Sequence, residues 1–228
     1  MSKKKEIESE ELESYWLPKF EQSALEDDDA ARNIGRTFGH EERRVVFEEL
    51  LGTYLPNSAA SVLDVGCGTG TYFDLYEQKR LAIEGVDYSE SQIKVARGRY
   101  PDASLHACLL EDTPDSIQAD LVVSIGVTQV VSDLDRLLDH AARRLSKEGI
   151  AVISCLNRGS IWPGGITDPH LRFFKLNEMR EYLGKYFEEI ECRRFYPLPG
   201  PFSILRPMLY RMQLPLMNHG FMFVLKKK

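Results

Sequence analysis

The segment Val62-Leu63-Asp64-Val65-Gly66-Cys67-Gly68-Thr69-Gly70 constrains this chain more than any other stretch. An apolar run of strand length passes straight into three glycines at alternate positions. A helix-compatible run from Thr71 to Lys79 follows. Glycine tolerates the backbone that a tight strand-to-helix turn needs, and it lets a ligand approach the main chain closely. Such a loop belongs at the carboxyl end of its strand, where open α/β sheets bind ligands. A tight turn without a ligand is the plain alternative. Strand, acidic residue, glycines and helix in one register argue for a ligand.

Around this loop the chain alternates strands and helices. Ser61 to Val65, Leu81 to Val86, Ala103 to Ala107, Ala119 to Ile125 and Ile150 to Leu156 read as strands. Ser89, a good N-cap, starts a helix through Arg99, and Asp133 to Ser146 is amphipathic and helical. Repeated βα units imply a parallel sheet with helices on both faces. Before it, His40 to Leu55 reads as an amphipathic helix with Val45, Val46, Leu50 and Leu51 on one side. Pro18 is expected to break any helix over residues 6 to 30, and Glu26 to Asp29 reads as a solvated loop. After Arg158 the rhythm loosens. Trp162 to Gly165 is turn-rich, and Asn177 is expected to cap a helix to Leu183. Phe187 to Phe195 reads as a strand, Phe202 to Met212 as a helix and Gly220 to Leu225 as a closing strand. Residues 1–55 form an expected helical cap or lid. Residues 56–228 form the main domain, with a substrate-cover insertion at about 157–220.

Charge and cysteines narrow the partners. A net charge of −6 argues against generic nucleic-acid binding, which needs a basic face. No apolar run is long enough for a membrane span. The basic start Met1-Ser2-Lys3-Lys4-Lys5-Glu6 has no apolar segment behind it, so it does not read as a secretory leader. Cys67, Cys108, Cys155 and Cys192 stand far apart, with no local support for a zinc site or redox pair. Reduced thiols in a cytoplasmic compartment are therefore expected, and no metal. Glu191 is the last acidic residue, and the stretch Phe195 to Phe223 mixes arginines with large apolar side chains. That mix suits an anionic or lipid-like substrate, or a membrane surface. A cover that packs its apolar side on the core is the plainer reading.

The glycine spacing decides between two ligand classes. A dinucleotide fingerprint is G-x-G-x-x-G, and here the third glycine comes one residue early. Asp64 stands two residues before the first glycine, where a carboxylate would repel a pyrophosphate. It suits a ligand carrying an ammonium and a sulfonium. An NAD-dependent oxidoreductase is thus the disfavoured rival.

The pattern Asp64-x-Gly66-x-Gly68-x-Gly70 resembles motif I of the class I S-adenosylmethionine-dependent methyltransferases. Glu84-Gly85-Val86-Asp87-Tyr88-Ser89 is similar to the family's second-strand motif. The resemblance implies S-adenosylmethionine as cofactor, held by Asp64, Gly66, Cys67, Gly68 and Gly70, with Asp87 accepting hydrogen bonds from the ribose hydroxyls. It places Tyr88 and Ile93 against adenine, although Ile93 reads equally well as core. Ala107 to Pro114 resembles the adenine-lining segment, but Leu109 stands where many relatives carry Asp. Backbone groups of Leu109 and Leu110 are left to read the adenine edge, with Glu111 as a substitute carboxylate. Ala119 to Gln129 resembles the fourth strand and the loop under the methionine moiety, which brings in Ser124. Nucleobase amino-methyltransferases carry Pro-Pro-aromatic there, and Ile125-Gly126-Val127 departs from that. The implied fold is a mostly parallel seven-strand sheet with an antiparallel last strand, in a three-layer αβα sandwich.

Methyl transfer from a sulfonium asks the protein mainly to align three atoms and exclude water. A base is needed only if the nucleophile must lose a proton early. His170 is the first candidate, since His170-Leu171-Arg172-Phe173-Phe174 resembles a substrate-side segment of small-molecule members. A surface or hydrogen-bonding role is its plainer reading. His106 on the third strand, His140 on a helix and Cys108 read as structural or exposed residues. Tyr15, Trp16 and Phe20 suit a lid over a sulfonium, or a helix packed on the sheet edge. The expected function is methyl transfer to a small molecule, at oxygen or nitrogen in preference to carbon. A non-catalytic S-adenosylmethionine-binding partner subunit is the second rival.

Overall fold

In the computed structural model, residues 9–25, 40–114, 116–160, 168–195, 208 and 218–228 are described. Seven strands share one sheet: β1 (Ser61–Val65), β2 (Ala82–Asp87), β3 (Ser104–Ala107), β4 (Ala119–Ser124), β5 (Leu145–Leu156), β6 (Phe187–Phe195) and β7 (Gly220–Lys227). Their order is β3-β2-β1-β4-β5-β7-β6. All neighbours pair in parallel except β7, which runs antiparallel to both β5 and β6. The order reverses between β1 and β4, so the loops after these two strands diverge and leave a crevice at the switch point. The glycine loop follows β1 and therefore borders that crevice.

Successive strand residues face opposite layers, and both layers are apolar. Val62, Leu121 and Val123 pack with α2 (His40–Tyr54), α3 (Phe73–Gln78) and α4 (Glu90–Arg99), through Phe47, Leu50, Tyr76 and Ile93. Leu63, Val122 and Ile153 pack on the other face with α5 (Leu134–Arg144) and α6 (Leu176–Leu183), through Leu138, Ala141 and Met179. This is the αβα sandwich that the βα rhythm and the family resemblance imply. Each wholly buried Leu or Phe contributes about 2 to 3 kcal/mol of apolar burial.

Local signals account for most boundaries. Ser89 Oγ accepts from Gln92 N–H at 3.2 Å, as a capping residue should. Asp133 does the same for Arg136 N–H at 2.9 Å. Four local expectations are corrected. Helix α1 (Ser9–Ser23) runs through Pro18. Tertiary anchorage outweighs the lost backbone bond, because Leu12, Trp16 and Ala24 are buried on either side of an exposed proline. Helix α5 stops at Arg144, and Leu145 is already extended and buried in β5. Lys175 rather than Asn177 occupies the N-cap of α6. In α2, Phe47 is wholly buried while Val45 is exposed. The Trp162 to Gly165 turn, the Phe202 to Met212 helix apart from Met208, and Glu26 to Asp29 lie outside the described residues.

Strand β7 is held between two partners, and its first residue has no room for a side chain. A Cβ on Gly220 would stand 2.3 Å from both Cys155 O and Phe195 Cζ. We expect Gly220→Ala to destabilise the protein by about 3 kcal/mol, through overpacking against a carbonyl that cannot retreat without breaking the sheet. Urea unfolding checks it, and an unchanged midpoint would contradict the tight β5–β7 contact.

Candidate functional site

Strand β1 ends at Val65, and the next two amides fold over the end of β2. Gly66 and Cys67 N–H both donate to Val86 O, at 2.7 and 3.1 Å. Gly66 adopts φ +72°, and a Cβ there would lie 2.3 Å from Val127 Cγ2. This glycine is therefore required twice, by its backbone and by the close approach of the loop after β4. A Cβ on Gly68, at φ +55°, would make only an ordinary contact with Gln92 Oε1 at 3.7 Å, and the Gly68 N–H donates to Asp87 Oδ2 at 2.9 Å. Asp87 Oδ1 accepts from Ser89 N–H at 2.9 Å. One carboxylate thus ties the glycine loop to the start of α4.

A cavity of about 450 Å³ opens above these residues. Asp64, Gly66, Cys67, Gly68, Asp87, Tyr88 and Leu109 all line it. Burial pushes the Asp64 carboxyl up to about 7; the hydrogen bond from Tyr76 OH at 2.8 Å opposes this, and the nearby Asp87 adds to it. Burial likewise raises Asp87 to about 6, against its bonds from Ser89 and Gly68, with Glu21 of α1 adding repulsion. Two carboxylates on adjacent strands of one cavity, Asp64 buried and Asp87 half-buried, both gain from a cationic or hydrogen-bond-donating ligand.

Three other expected residues stand behind this surface rather than on it. Gly70 packs against Tyr100 and Phe73, Leu110 is buried in the α5 layer, and Ser124 is wholly buried with no hydrogen bond to its Oγ. Ile93 is a core residue of the α4 layer. Sequence reasoning missed Arg43, Gln129 and Arg136, which also line the cavity. Arg43 reaches it from α2, close to Gly126. Nothing in the local sequence signals that reach, because the helix register alone decides which α2 side chain points over the sheet edge.

His170 is not among the lining residues. Its ring stacks on Tyr15 at 3.6 Å, and Nδ1 lies 3.2 Å from Asp168 Oδ1. Asp168 also accepts from Tyr15 OH at 2.8 Å and Lys19 Nζ at 3.1 Å. Burial alone would raise Asp168; the bonds from His170, Tyr15 and Lys19 outweigh it and hold the carboxyl at about 2. This cluster fastens α1 to the 168–170 segment. At its other end α1 presents Phe20 to the cavity and to Tyr88, while Glu21 accepts from Ser89 Oγ and Ser91. His106 pairs with Glu84 at 2.6 Å, and His140 lies 3.2 Å from buried Arg144. Among the described residues, no three His, Cys, Asp or Glu side chains are grouped to hold a metal ion. No described helix is long and apolar enough to cross a membrane.

Comparison with known proteins agrees with this geometry. A family model described as a methyltransferase domain matches residues 38–199. A dTDP-4-amino-2,3,4,6-tetradeoxy-D-glucose N,N-dimethyltransferase of Saccharopolyspora spinosa is 31% identical over 123 residues, 52% of this chain and 48% of that protein. The chain thus spans about half the length of the first curated relatives it matches. A ubiquinone biosynthesis O-methyltransferase of Rickettsia bellii is 25% identical over 164 residues, 64% of this chain and 68% of that protein. Among solved structures, magnesium protoporphyrin IX methyltransferase of Synechocystis with bound S-adenosylmethionine superposes with a TM-score of 0.66 at 13% identity. That likeness covers 96% of this chain and 97% of the other, and it shows the shared fold. With the family model covering well over half of the sequence and the strand order that surrounds the glycine loop, the chain belongs to the methyltransferase domain family, in its class I, Rossmann-like form.

Proposed function

We propose that this protein transfers a methyl group from S-adenosylmethionine to a small-molecule acceptor, at oxygen or nitrogen. The observation that carries the reading is the pair of carboxylates, buried Asp64 and half-buried Asp87, at the floor of one cavity beside the glycine loop. The residues present fit the cofactor. Asp64 offers a negative charge to its ammonium and sulfonium, and Asp87 offers both carboxylate oxygens to its ribose hydroxyls. Arg43, across the cavity, suits the amino-acid carboxylate. The backbone at Leu109 suits the adenine edge. When bound, the cofactor supplies an activated methyl group with its leaving group already in place.

The chain's own work is positioning. Loop residues Gly66 and Gly68 bring the main chain close, and the loop after β4 closes the opposite wall with Gly126 and Val127. Helix α1, held by its two sets of anchors, keeps water from the Tyr88 side. Relatives named for N- and O-methylation support the choice of acceptor atom. The net charge of −6 favours a small molecule over nucleic acid, and the widely spaced cysteines suit reduced thiols in a cytoplasmic setting, with residues 1–55 as cap and about 157–220 as cover. Titration with S-adenosylhomocysteine, followed by transfer of labelled methyl to panels of amino sugars and phenols, tests the proposal. Binding of NAD in place of S-adenosylhomocysteine would sink it.

The two raised carboxyls make a pH prediction. A cationic ligand favours the ionised forms, so affinity should rise as pH climbs through about 6 to 7, with protons released on binding. The same shifts act oppositely on the free protein. A carboxyl raised in the folded state contributes stability that is present below its unfolded value and lost as pH rises through the folded one. The melting-temperature gain from S-adenosylhomocysteine should therefore grow from pH 5.5 to pH 8, on the order of a tenfold change in Kd or more. A gain that is flat across this window would contradict it.

A further inference from the structure

The described residues that line the cavity belong to β1, β2, the turns after β1 to β4, and the helices beside them; none belongs to β5, β6 or β7. With a ribose at Asp87, the cofactor's amino-acid end lies toward the loop after β4. The next strands along the same edge of the sheet are β5 and β7. A methyl acceptor has its place there, beside the reacting end of the cofactor and clear of its adenosine.

That stretch of edge is polar and buried. Leu156 at the end of β5 pairs with Gly220 at the start of β7, so Asn157 and His219 stand just past the paired strands. Asn157 N–H donates to His219 O at 2.8 Å, and His219 N–H donates to Phe195 O at 3.0 Å. The two asparagines satisfy each other and the main chain. Asn157 Nδ2 donates to Asn218 Oδ1 at 3.0 Å, and Asn218 Nδ2 donates to Gly220 O at 3.0 Å. His219 differs from them. It is only 5% exposed, yet its ring makes no hydrogen bond among the described residues. A buried polar ring in that state calls for a partner from outside the chain. Two strand spacings of about 4.8 Å place it about 10 Å from the end of β4.

Burial lowers the His219 ring to about 4, and the charge of Arg43 adds to this. Arg43 also lines the cavity, so one guanidinium bears on both places. At neutral pH the ring carries a free nitrogen lone pair and no charge that would oppose a sulfonium. A base this weak suits an acidic hydroxyl, such as a phenol titrating near about 10, and not an aliphatic alcohol.

We infer that His219 is a catalytic residue, the proton acceptor for a phenolic substrate bound over the carboxyl ends of β5 and β7. The inference rests on the cofactor reading above. The phenol oxygen bonds to the methyl carbon as the carbon–sulfur bond breaks and its electron pair stays on sulfur. The hydroxyl proton passes to the free ring nitrogen of His219 and from there to water.

The experiment compares the wild type with His219→Gln and His219→Phe at pH 8, on ordinary phenols and on nitrophenols, which are already ionised there and need no base. Melting temperatures and S-adenosylhomocysteine titration accompany the rates. The kcat for ordinary phenols should fall by at least about a hundredfold in both variants. The kcat for nitrophenols and the affinity for S-adenosylhomocysteine should stay near the wild-type values. Equal losses on the two kinds of phenol, no loss on either, or unfolding of both variants would make His219 structural and overturn the assignment. A wild type that binds S-adenosylhomocysteine yet methylates no phenol would overturn it too, while leaving the cofactor in place. Failure of the wild type to bind S-adenosylhomocysteine would remove the cofactor reading as well.

Discussion

Asp87→Ala should lower affinity for S-adenosylhomocysteine by at least about a hundredfold, and calorimetric titration should show it directly. The carboxylate has two duties, and the substitution removes both. Its oxygens accept from Gly68 and Ser89 N–H, which set the loop and the start of α4, and they remain available to ribose hydroxyls. Hydrogen bonds to a charged partner are each worth about 1.5 to 3 kcal/mol, and two of them exceed a hundredfold. The free protein should lose little, because Asp87 is itself penalised by burial and its carboxyl sits at about 6. Asp87→Asn should fall between wild type and alanine. Unaltered affinity in the alanine variant would place the ribose elsewhere.

Asp64→Asn should separate stability from binding, and in opposite directions. Burial holds the Asp64 carboxyl at about 7, against 3.8 for the ordinary group. Above pH 7 the folded protein therefore carries an ionised carboxylate that the unfolded chain solvates better. The cost approaches about 4 kcal/mol at roughly 1.4 kcal/mol per pKa unit. Asparagine keeps an oxygen for Tyr76 OH and removes the charge, so the free variant should melt several degrees higher at pH 8. At pH 5, where most Asp64 is already neutral in the fold, the gain should shrink. Affinity for a ligand bearing an ammonium should fall by at least about tenfold, since the attracting charge is gone. Equal melting temperatures at both pH values would show that Asp64 is not held neutral by its surroundings.

Much of this was legible in residue order, and the reasons differ from one element to the next. The switch point is visible because Asp64, Gly66 and Gly68 must be those residue types. A positive φ, a 2.3 Å approach by Val127 and a buried carboxylate each leave a mark on one position. Asp87 is legible for the same reason. Arg43 and Arg136 are not, because an arginine on a helix looks the same whether it meets solvent or a cavity, and only the packing of the helix decides. Pro18 misled for a related cause. Local propensity favours a break there, and the buried side chains of Trp16 and Leu12 override it. His170 follows a substrate-like pattern, yet its ring is committed to Tyr15 and Asp168, which no spacing in the chain reveals.

Helix α1 touches two regions that are far apart in the chain. Glu21 and Phe20 engage the start of α4 and Tyr88, and Gln92 of α4 donates to Phe20 O and Ser23 Oγ at 3.0 and 2.9 Å. Tyr15, Trp16 and Lys19 engage residues 168–170. A single rigid element shared in this way makes the two regions thermodynamically reciprocal. Whatever free energy the ordering of one contributes to α1, the other gains in equal measure. Amide hydrogens of residues 168–172 should then exchange with solvent more slowly once the cavity beside Tyr88 is filled. Occupancy at one end of the helix is thereby reported at the other as cooperativity.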